Sequence, residues 1–400
     1  MPFREQSRLE QRVAMLADYD TGAFSVSELC RDYGVSRPTF YAWFGRREAG
    51  AADWFVDRSR APLSCPHRTG AEIAAAAVAM KRRFPRFGPK KIKARLERER
   101  PDVSWPAAST IGGVLARAGL VEPRGRRRRP AELGAAQVAA AAPNEEWACD
   151  FKGWFRTADG RRCDPLTVTD SHTRYLLDVR IAEPTIQGVW PLFERLFREH
   201  GLPGAIRCDN GAPFGAPGAG GLSRLSVRWL KLGIAPRFIR PATPQENGRH
   251  ERMHRTLKAE TSAPPARSLA EQQARFDRFC AHYNHERPHE ALDQLPPADL
   301  WIRSARRMPE TPLEPWYDAD HQVRRVRTNG EIKWRGEHVF VCEPLAGELL
   351  GIREREDGSH LVRFFDVDLG VLDRSGRFRR FAPLRHRLRY APEPQPQQKL

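Results

Sequence analysis

The apolar period of this chain changes once, and that change divides it. Up to Leu120 apolar residues recur at helical spacing, whereas from Trp147 they fall into short runs bounded by turn residues, as strands do. Between the two regions, Arg126, Arg127, Arg128 and Arg129 and an alanine-rich stretch to Ala142 read as a linker, because like charges repel and small side chains bury little. The 400 residues exceed one ordinary core at roughly 100–200 residues per domain. The expected division is a helical domain at 1–60, a second at 61–122, a basic linker at 123–143, a central α/β domain at 144–300 and a small β-domain at 315–390.

Charge is unevenly spread. Lys and Arg number 67 against 50 Asp and Glu, and residues 1–140 hold 26 basic and 15 acidic side chains, so most of the surplus sits at the front. Such a field attracts polyanions, above all nucleic acid. Seven cysteines stand singly, with no Cys-x-x-Cys pair, which argues against a disulfide framework or a structural zinc site and fits a reducing cytoplasm. The first 30 residues alternate charged and apolar positions, so neither a secretory signal nor a membrane span is expected, and the chain should remain in the cytoplasm with the nucleoid.

The first domain reads as a helix-turn-helix. Leu9, Val13 and Leu16 mark one helix, and Ser25 with Glu28 forms a capping box for a second. Gly34 ends that helix, and Ser36 with Pro38 opens a third, with Phe40 and Trp43 inward and Arg37, Thr39 and Tyr41 outward as candidate DNA contacts. In the second domain Ile73 and Met80, Ile92 and Leu96, and Ile111 and Leu115 mark three more helices. The basic run that includes Lys90 and Lys91 reads as phosphate contact rather than base recognition. Arg126 to Arg129 suit either a DNA backbone or a flexible tether.

In the central domain, strands are expected from Trp147, at Pro165 to Thr169 and at Tyr175 to Ile181, with a hairpin turn at Asp159-Gly160. A helix over Ile186 to His200, a short strand Ala205 to Cys208 and helices at Ser223 to Leu232 and Thr243 to Ala259 follow, the order of a mixed sheet flanked by helices. Three carboxylates fall at informative places on that frame. Asp150 lies on the first strand, Asp209 at the carboxyl end of another, before Asn210-Gly211, and Glu251 inside the last helix. Magnesium prefers oxygen ligands and is held by a few carboxylates plus phosphate, so this trio is expected to bind Mg²⁺, with Mn²⁺ as a substitute, for phosphodiester chemistry. Arg255 and Lys258 share the helix face of Glu251 and would meet DNA. Asp159, Asp164, Asp170 and Asp178 read as turn or surface residues, Trp154, Trp190 and Trp229 as core, and His250 and His254 as helix-surface residues.

Residues 147–290 resemble the catalytic core of integrase-like transposases of bacterial insertion sequences, the Asp-Asp-Glu recombinases with a ribonuclease H-like fold. The resemblance rests on Trp147-Ala-Cys-Asp150, Asp209-Asn-Gly-Ala-Pro-Phe214, Pro244-Gln-Glu-Asn-Gly-Arg-His-Glu251 and Tyr283-Asn-His-Glu-Arg-Pro-His289. It implies catalysis by Asp150, Asp209 and Glu251, terminal repeats and target DNA as partners, and a homo-oligomer on DNA with no membrane involved. Forty-one residues separate Asp209 from Glu251 and 36 separate it from Glu246, and such cores often have the shorter interval. Glu251 is preferred because the glycine-rich stretch Gly215 to Gly221 reads as a loop extension and because an acid at Glu246 suits a helix's first turn.

Beyond a Pro- and His-rich turn region, strands at Val323 to Arg327, Glu331 to Trp334, Val339 to Cys342, Leu349 to Glu354, Leu361 to Phe365 and Gly370 to Asp373 suggest a small barrel. That barrel is similar to the SH3-like tail domain of integrases, and Pro392 to Leu400 read as a tail. The leading expectation is a transposase. The alternatives are a DNA-binding regulator or inactive remnant, and a nuclease of RNA–DNA hybrids.

Overall fold

The computed structural model describes residues 7–58, 68–121, 140–239 and 248–381, which form two compact units, Met1–Arg68 and Thr69–Leu400. Arg126 to Arg129, Glu246, the cap residues Thr243 and Pro244, and the tail from Pro392 lie outside the described residues.

The first unit holds α1 (Arg8–Asp20), α2 (Val26–Asp32) and α3 (Arg37–Glu48). Ser25 and Glu28 form the expected capping box, and Ser36 caps α3 with Pro in its first turn. Gly34 takes φ +65° between α2 and α3, a conformation an L side chain resists. Phe40 is fully buried against Met15, Leu16 and Leu29. Leu9 and Val13, two of the three apolar markers of α1, are 41% and 44% exposed. The buried stripe of α1 instead runs through Arg12, Met15, Leu16 and Tyr19, because the Arg12 guanidinium stacks 4.8 Å from the Trp43 ring centroid and donates to the Phe55 carbonyl.

The second unit begins with α4 (Ala71–Arg83), α5 (Pro89–Glu99) and α6 (Ala108–Arg117), packed on Met80, Phe84, Phe87, Ile92, Leu96, Ile111 and Leu115. A Cβ at Gly112 would lie 3.3 Å from Pro89 Cγ, so close approach of α5 and α6 explains a glycine that helix propensity disfavours. This three-helix module belongs to the same compact unit as the sheet that follows. Phe84 stacks on His282, with ring centroids 5.2 Å apart, Lys90 pairs with Glu290 at 2.6 Å, and Arg98 pairs with Asp299.

The central sheet contains β1 (Glu146–Phe151), β4 (Pro165–Asp170), β5 (Leu176–Ile181), β6 (Ala205–Cys208) and β7 (Ala235–Phe238); β2 (Phe155–Arg156) and β3 (Arg162–Cys163) form a small hairpin beside it. Strand order is β5-β4-β1-β6-β7, antiparallel from β5 to β1 and parallel from β1 to β7. Helices α7 (Ile186–His200) and α8 (Arg224–Leu230) cover one face through Val189, Phe193, Phe197, Leu225 and Trp229. Helices α9 (Gly248–Thr261) and α10 (Leu269–His285) cover the other through Met253, Leu257, Phe276 and Phe279. Each face of the sheet therefore has its own apolar layer, the mixed sheet flanked by helices that the element order predicts.

Several expectations change here. Asp170 is 1% exposed and accepts from the backbone of Asn144 and Thr173 and from the Thr173 hydroxyl, so it is a buried turn anchor rather than a surface acid. Asp178 is also buried, within reach of Arg180 and Arg195. Trp154 is 57% exposed, because it lies between β1 and the peripheral hairpin, where Arg156 and Arg162 stack on it.

The C-terminal strands are β8 (His321–Arg325), β9 (Glu331–Trp334), β10 (Glu337–Phe340), β11 (Leu349–Glu354), β12 (His360–Phe364), β13 (Val367–Leu372) and β14 (Phe378–Arg380). A five-stranded antiparallel sheet, β14-β13-β12-β11-β8, and the hairpin β9-β10 share one core around Trp334, Leu350, Val362 and Phe364. The tight turn at Arg327 to Glu331 forms as expected, but β8 pairs with β11 and β9 with β10, since Arg335 and Gly336 at φ +47° and +91° supply the hairpin reversal. Gly215 to Gly221 is irregular, as a loop is, but it is packed rather than free. Ala219, Gly220 and Gly221 are buried beneath this β-domain, and a Cβ at Gly220 would lie 3.2 Å from Leu369 and 3.3 Å from Val367. Lys231 pairs with Glu348 at 2.8 Å across the same seam.

Candidate active site at the carboxyl edge of the mixed sheet

Two of the three carboxylates are positioned by strand register. Glu146, Trp147 and Ala148 of β1 lie beside Ala205, Ile206 and Arg207 of β6. Carrying this parallel register two residues further sets Cys149 beside Cys208 and Asp150 beside Asp209. The thiols of Cys149 and Cys208 interact, as that continuation predicts, and both sit in the α7/α8 layer. Successive side chains of a strand point to opposite faces, so Asp150 and Asp209 face the α9 side, on neighbouring strands about 4.8 Å apart.

The third carboxylate arrives on α9, which is fastened to the same row of the sheet. Asp150 pairs with Thr167 across β1 and β4, and the Thr167 hydroxyl donates to the Asp150 carbonyl at 3.0 Å. The same hydroxyl lies 2.8 Å from Nε2 of His250 and 2.8 Å from Nε2 of His254. His250 is 4% exposed and His254 half-buried, which overturns their reading as surface residues. One hydroxyl proton is already committed to Asp150, so both imidazoles reach Thr167 as Nε2–H donors. Glu251 directly follows His250. On the outer face of α9, Glu251, Arg255 and Lys258 are all exposed while Met253 and Leu257 are buried, the face-sharing that their spacing predicts.

The surroundings set the charge states. Burial raises the Asp209 carboxyl although part of it reaches solvent, and the Gly211 N–H, 3.2 Å away, offsets this. Burial pushes His254 down to about 3, with the nearby Lys152 ammonium adding to the effect, and holds His250 well below the ordinary imidazole range. Both are therefore neutral at pH 7. Lys152, two residues past Asp150, is lowered by burial and by Lys258, so the two ammonium groups lie within electrostatic reach of each other. Glu146, one layer inside the sheet, is held by Arg237 at 2.9 Å, Arg207 at 3.4 Å and the Ser171 hydroxyl.

The other expected contact residues are dispersed. Arg37 donates to Ser27 on α2, Thr39 shares a hydrogen bond with Ser36 at the start of α3, and Tyr41 is 57% exposed. Lys90 and Lys91 lie at the start of α5, against the segment after α10. Among the described residues, Asp318, Asp320 and His321 are the group whose donor atoms all lie within 4.8 Å of one another. They stand at the start of β8, in the C-terminal β-domain, and Asp150, Asp209 and Glu251 are not such a group.

Asp150 and Asp209 thus fall on neighbouring parallel strands, and Glu251 on a helix that covers that face of the sheet. Residues 232–297, which span β7, α9 and α10, match the family described as "Integrase core domain". The chain is 28% identical over 240 residues to the "Insertion element IS407 uncharacterized 31.7 kDa protein" of Burkholderia multivorans, covering 59% of this chain and 82% of that protein. It is 29% identical over 239 residues to the "Insertion element IS476 uncharacterized 39.2 kDa protein" of Xanthomonas euvesicatoria, covering 57% of this chain and 64% of that one. The HTLV-2 integrase catalytic core domain superposes with a TM-score of 0.33 at 13% identity, over 40% of this chain and 99% of that one, a likeness too slight to add to the strand order itself. Residues 232–297 thus match an integrase core, and the chain is similar to proteins of bacterial insertion elements.

Proposed function

We propose that this protein is a DNA transposase that cleaves the ends of a mobile element and joins them to target DNA. The observation that supports the reading is the parallel β1–β6 register, whose continuation would put Asp150 beside Asp209 on the face that α9 covers. In the cleavage step a water oxygen attacks the phosphorus at the element end, the P–O3′ bond breaks, and the leaving oxygen takes a proton to become a 3′ hydroxyl. In the joining step that hydroxyl attacks a target phosphorus, and the target's own 3′ oxygen leaves. One phosphodiester replaces another, and the enzyme forms no covalent link.

The donor set fits a hard divalent cation. The three groups are all carboxylates, and burial disfavours the charged form of Asp209 until a counter-charge is present. Asp150, Asp209 and Glu251 would hold Mg²⁺, or Mn²⁺ in its place, and the bound ions supply nucleophile activation and leaving-group stabilisation. Lys152, Arg255 and Lys258 line the same edge with positive charge and orient DNA phosphates. The helix-turn-helix reading of α1–α3 assigns Arg37, Thr39 and Tyr41 to the terminal repeat, and Arg126 to Arg129 to its backbone. The β-domain on α8 is the SH3-like module of this reading. Because two ends must meet, the working form is a homo-oligomer on DNA. No helix among the described residues is long and apolar enough to cross a membrane.

The test is transfer of a labelled element end into a plasmid with Mg²⁺, comparing the intact chain with Asp209→Asn. Transfer that vanishes in the variant while DNA binding persists supports recombination at this edge. Binding without transfer by either protein would turn the reading toward a regulator or an inactive remnant.

A further inference from the structure

A cluster of cations lies where α5 meets the segment after α10, and the integrase-core reading does not use it. Lys91 and Arg287 flank the Phe87 ring, at 5.9 and 5.6 Å from its centroid. The carboxylates nearby are committed to other partners, Glu260 to Arg287 at 3.0 Å and Glu290 to Lys90 at 2.6 Å. Lys91 is half-buried and makes no ion pair among the described residues. Beside it, His289 packs on Tyr283 with ring centroids 4.8 Å apart, and its Nε2 is buried with no hydrogen-bond partner. No side chain caps the start of α5, so its first backbone N–H groups add a favourable dipole to the same place.

We propose that Lys91, Arg287 and His289 form a pocket for one phosphate of a DNA backbone. A half-buried ammonium with no direct ion pair and a buried imidazole nitrogen with no partner are each costly, and a single phosphate removes both costs. It accepts from the Lys91 ammonium and from His289 Nε2–H, and its charge offsets the cations crowded there. Burial and the neighbouring Arg287 lower Lys91 to about 7, and burial together with Lys91, Arg287 and Arg174 lowers His289 to about 3, the electrostatic pattern of a site short of negative charge. Arg252 stands next to Glu251 on α9, and its charge reaches both Tyr283 and Glu290, which links the pocket to the catalytic edge. A strand held here would be gripped by the second helical module and the core together. The proposal rests on the DNA-transposase reading.

The experiment measures affinity of the full chain for an element-end duplex against salt concentration, for the parent, Lys91→Gln and Lys91→Arg, with melting temperatures of all three. Each lost phosphate contact lowers the slope of log K against log salt by about 0.9 for duplex DNA. Lys91→Gln is expected to lose about one such unit, and Lys91→Arg to keep it. An unchanged slope with a lower melting temperature would make Lys91 a packing residue and overturn the pocket. A parallel titration with inorganic phosphate separates the sources: a thermal shift abolished by Lys91→Gln, with the DNA slope unchanged, would assign the pocket to a free anion and overturn the DNA assignment. Strand transfer by the parent is scored alongside. If the parent transfers DNA and the slope is unmoved, only the pocket fails; if the parent does not transfer, the functional reading fails and the slope still judges the pocket.

Discussion

Thr167 Oγ1 lies 2.8 Å from His254 Nε2, and this contact, doubled by His250, ties the strand beside Asp150 to the helix that carries Glu251. Replacing Thr167 by Val keeps the shape and removes the acceptor. Two largely buried Nε2–H groups then lose their partner, at a cost of about 1–3 kcal/mol for each unsatisfied group. Thr167→Val is expected to melt lower and to transfer strands more slowly, while Thr167→Ser keeps both properties. A valine variant with parental melting and transfer would show that the clasp has no role.

Asp209 is costly to ionise in the free protein, since burial raises its carboxyl. Asp209→Asn removes that cost, so in metal-free buffer the variant should be at least as stable as the parent. Adding Mg²⁺ should raise the melting temperature of the parent by mass action and leave Asp150→Asn and Asp209→Asn unmoved. Differential scanning calorimetry with and without a chelator decides this, and an equal Mg²⁺ shift in all three proteins would place the ion elsewhere.

Lys91 couples stability to pH. Its folded value of about 7 lies below its ordinary value of 10.5, so between the two the unfolded chain holds a proton that the folded chain does not. Stability therefore rises with pH across that window, and below pH 7 the contribution is flat. Arg287 opposes the Lys91 charge, while Glu260 and Glu290 favour it. Comparing the parent with Lys91→Gln by urea unfolding at several pH values in phosphate-free buffer isolates this effect. The difference should grow in favour of the parent from pH 7 to 10, and a constant difference would refute it.

Gly220 is the seat of the β-domain on the core. Its φ of +67° and the 3.2 Å approach of Leu369 leave no room for a side chain, so Gly220→Val should cost about 1–3 kcal/mol in backbone strain, with steric conflict in addition. Hydrogen exchange should rise first in β13, which carries Val367 and Leu369. Unchanged protection there would mean that the domain is held by Lys231–Glu348 and the other polar contacts alone.

Period and punctuation were enough for the local structure. Ile186–His200 and Ala205–Cys208 form over the expected residues, and Val189, Leu192, Phe193, Leu196 and Phe197 all turn inward, because a strong 3.6-residue stripe has one way to meet a sheet. Ser25 and Ser36 cap their helices because the hydroxyl answers N–H groups only three residues away. The positions of Asp150 on a strand and of Glu251 within a helix were legible for the same reason.

What the sequence determined by itself was everything decided within a turn or a strand: the elements, their caps and the spacing of the three carboxylates along them. Tertiary structure alone decided which residues meet across the chain. His250 and His254 carry no local mark of burial, yet Thr167, more than 80 residues earlier, takes them into the sheet. Gly215 to Gly221 looks like slack until the β-domain covers it, and Lys90 looks like a free cation until Glu290 pairs with it. Local signals act over a few residues, whereas burial and pairing depend on surfaces that come together only when distant segments pack.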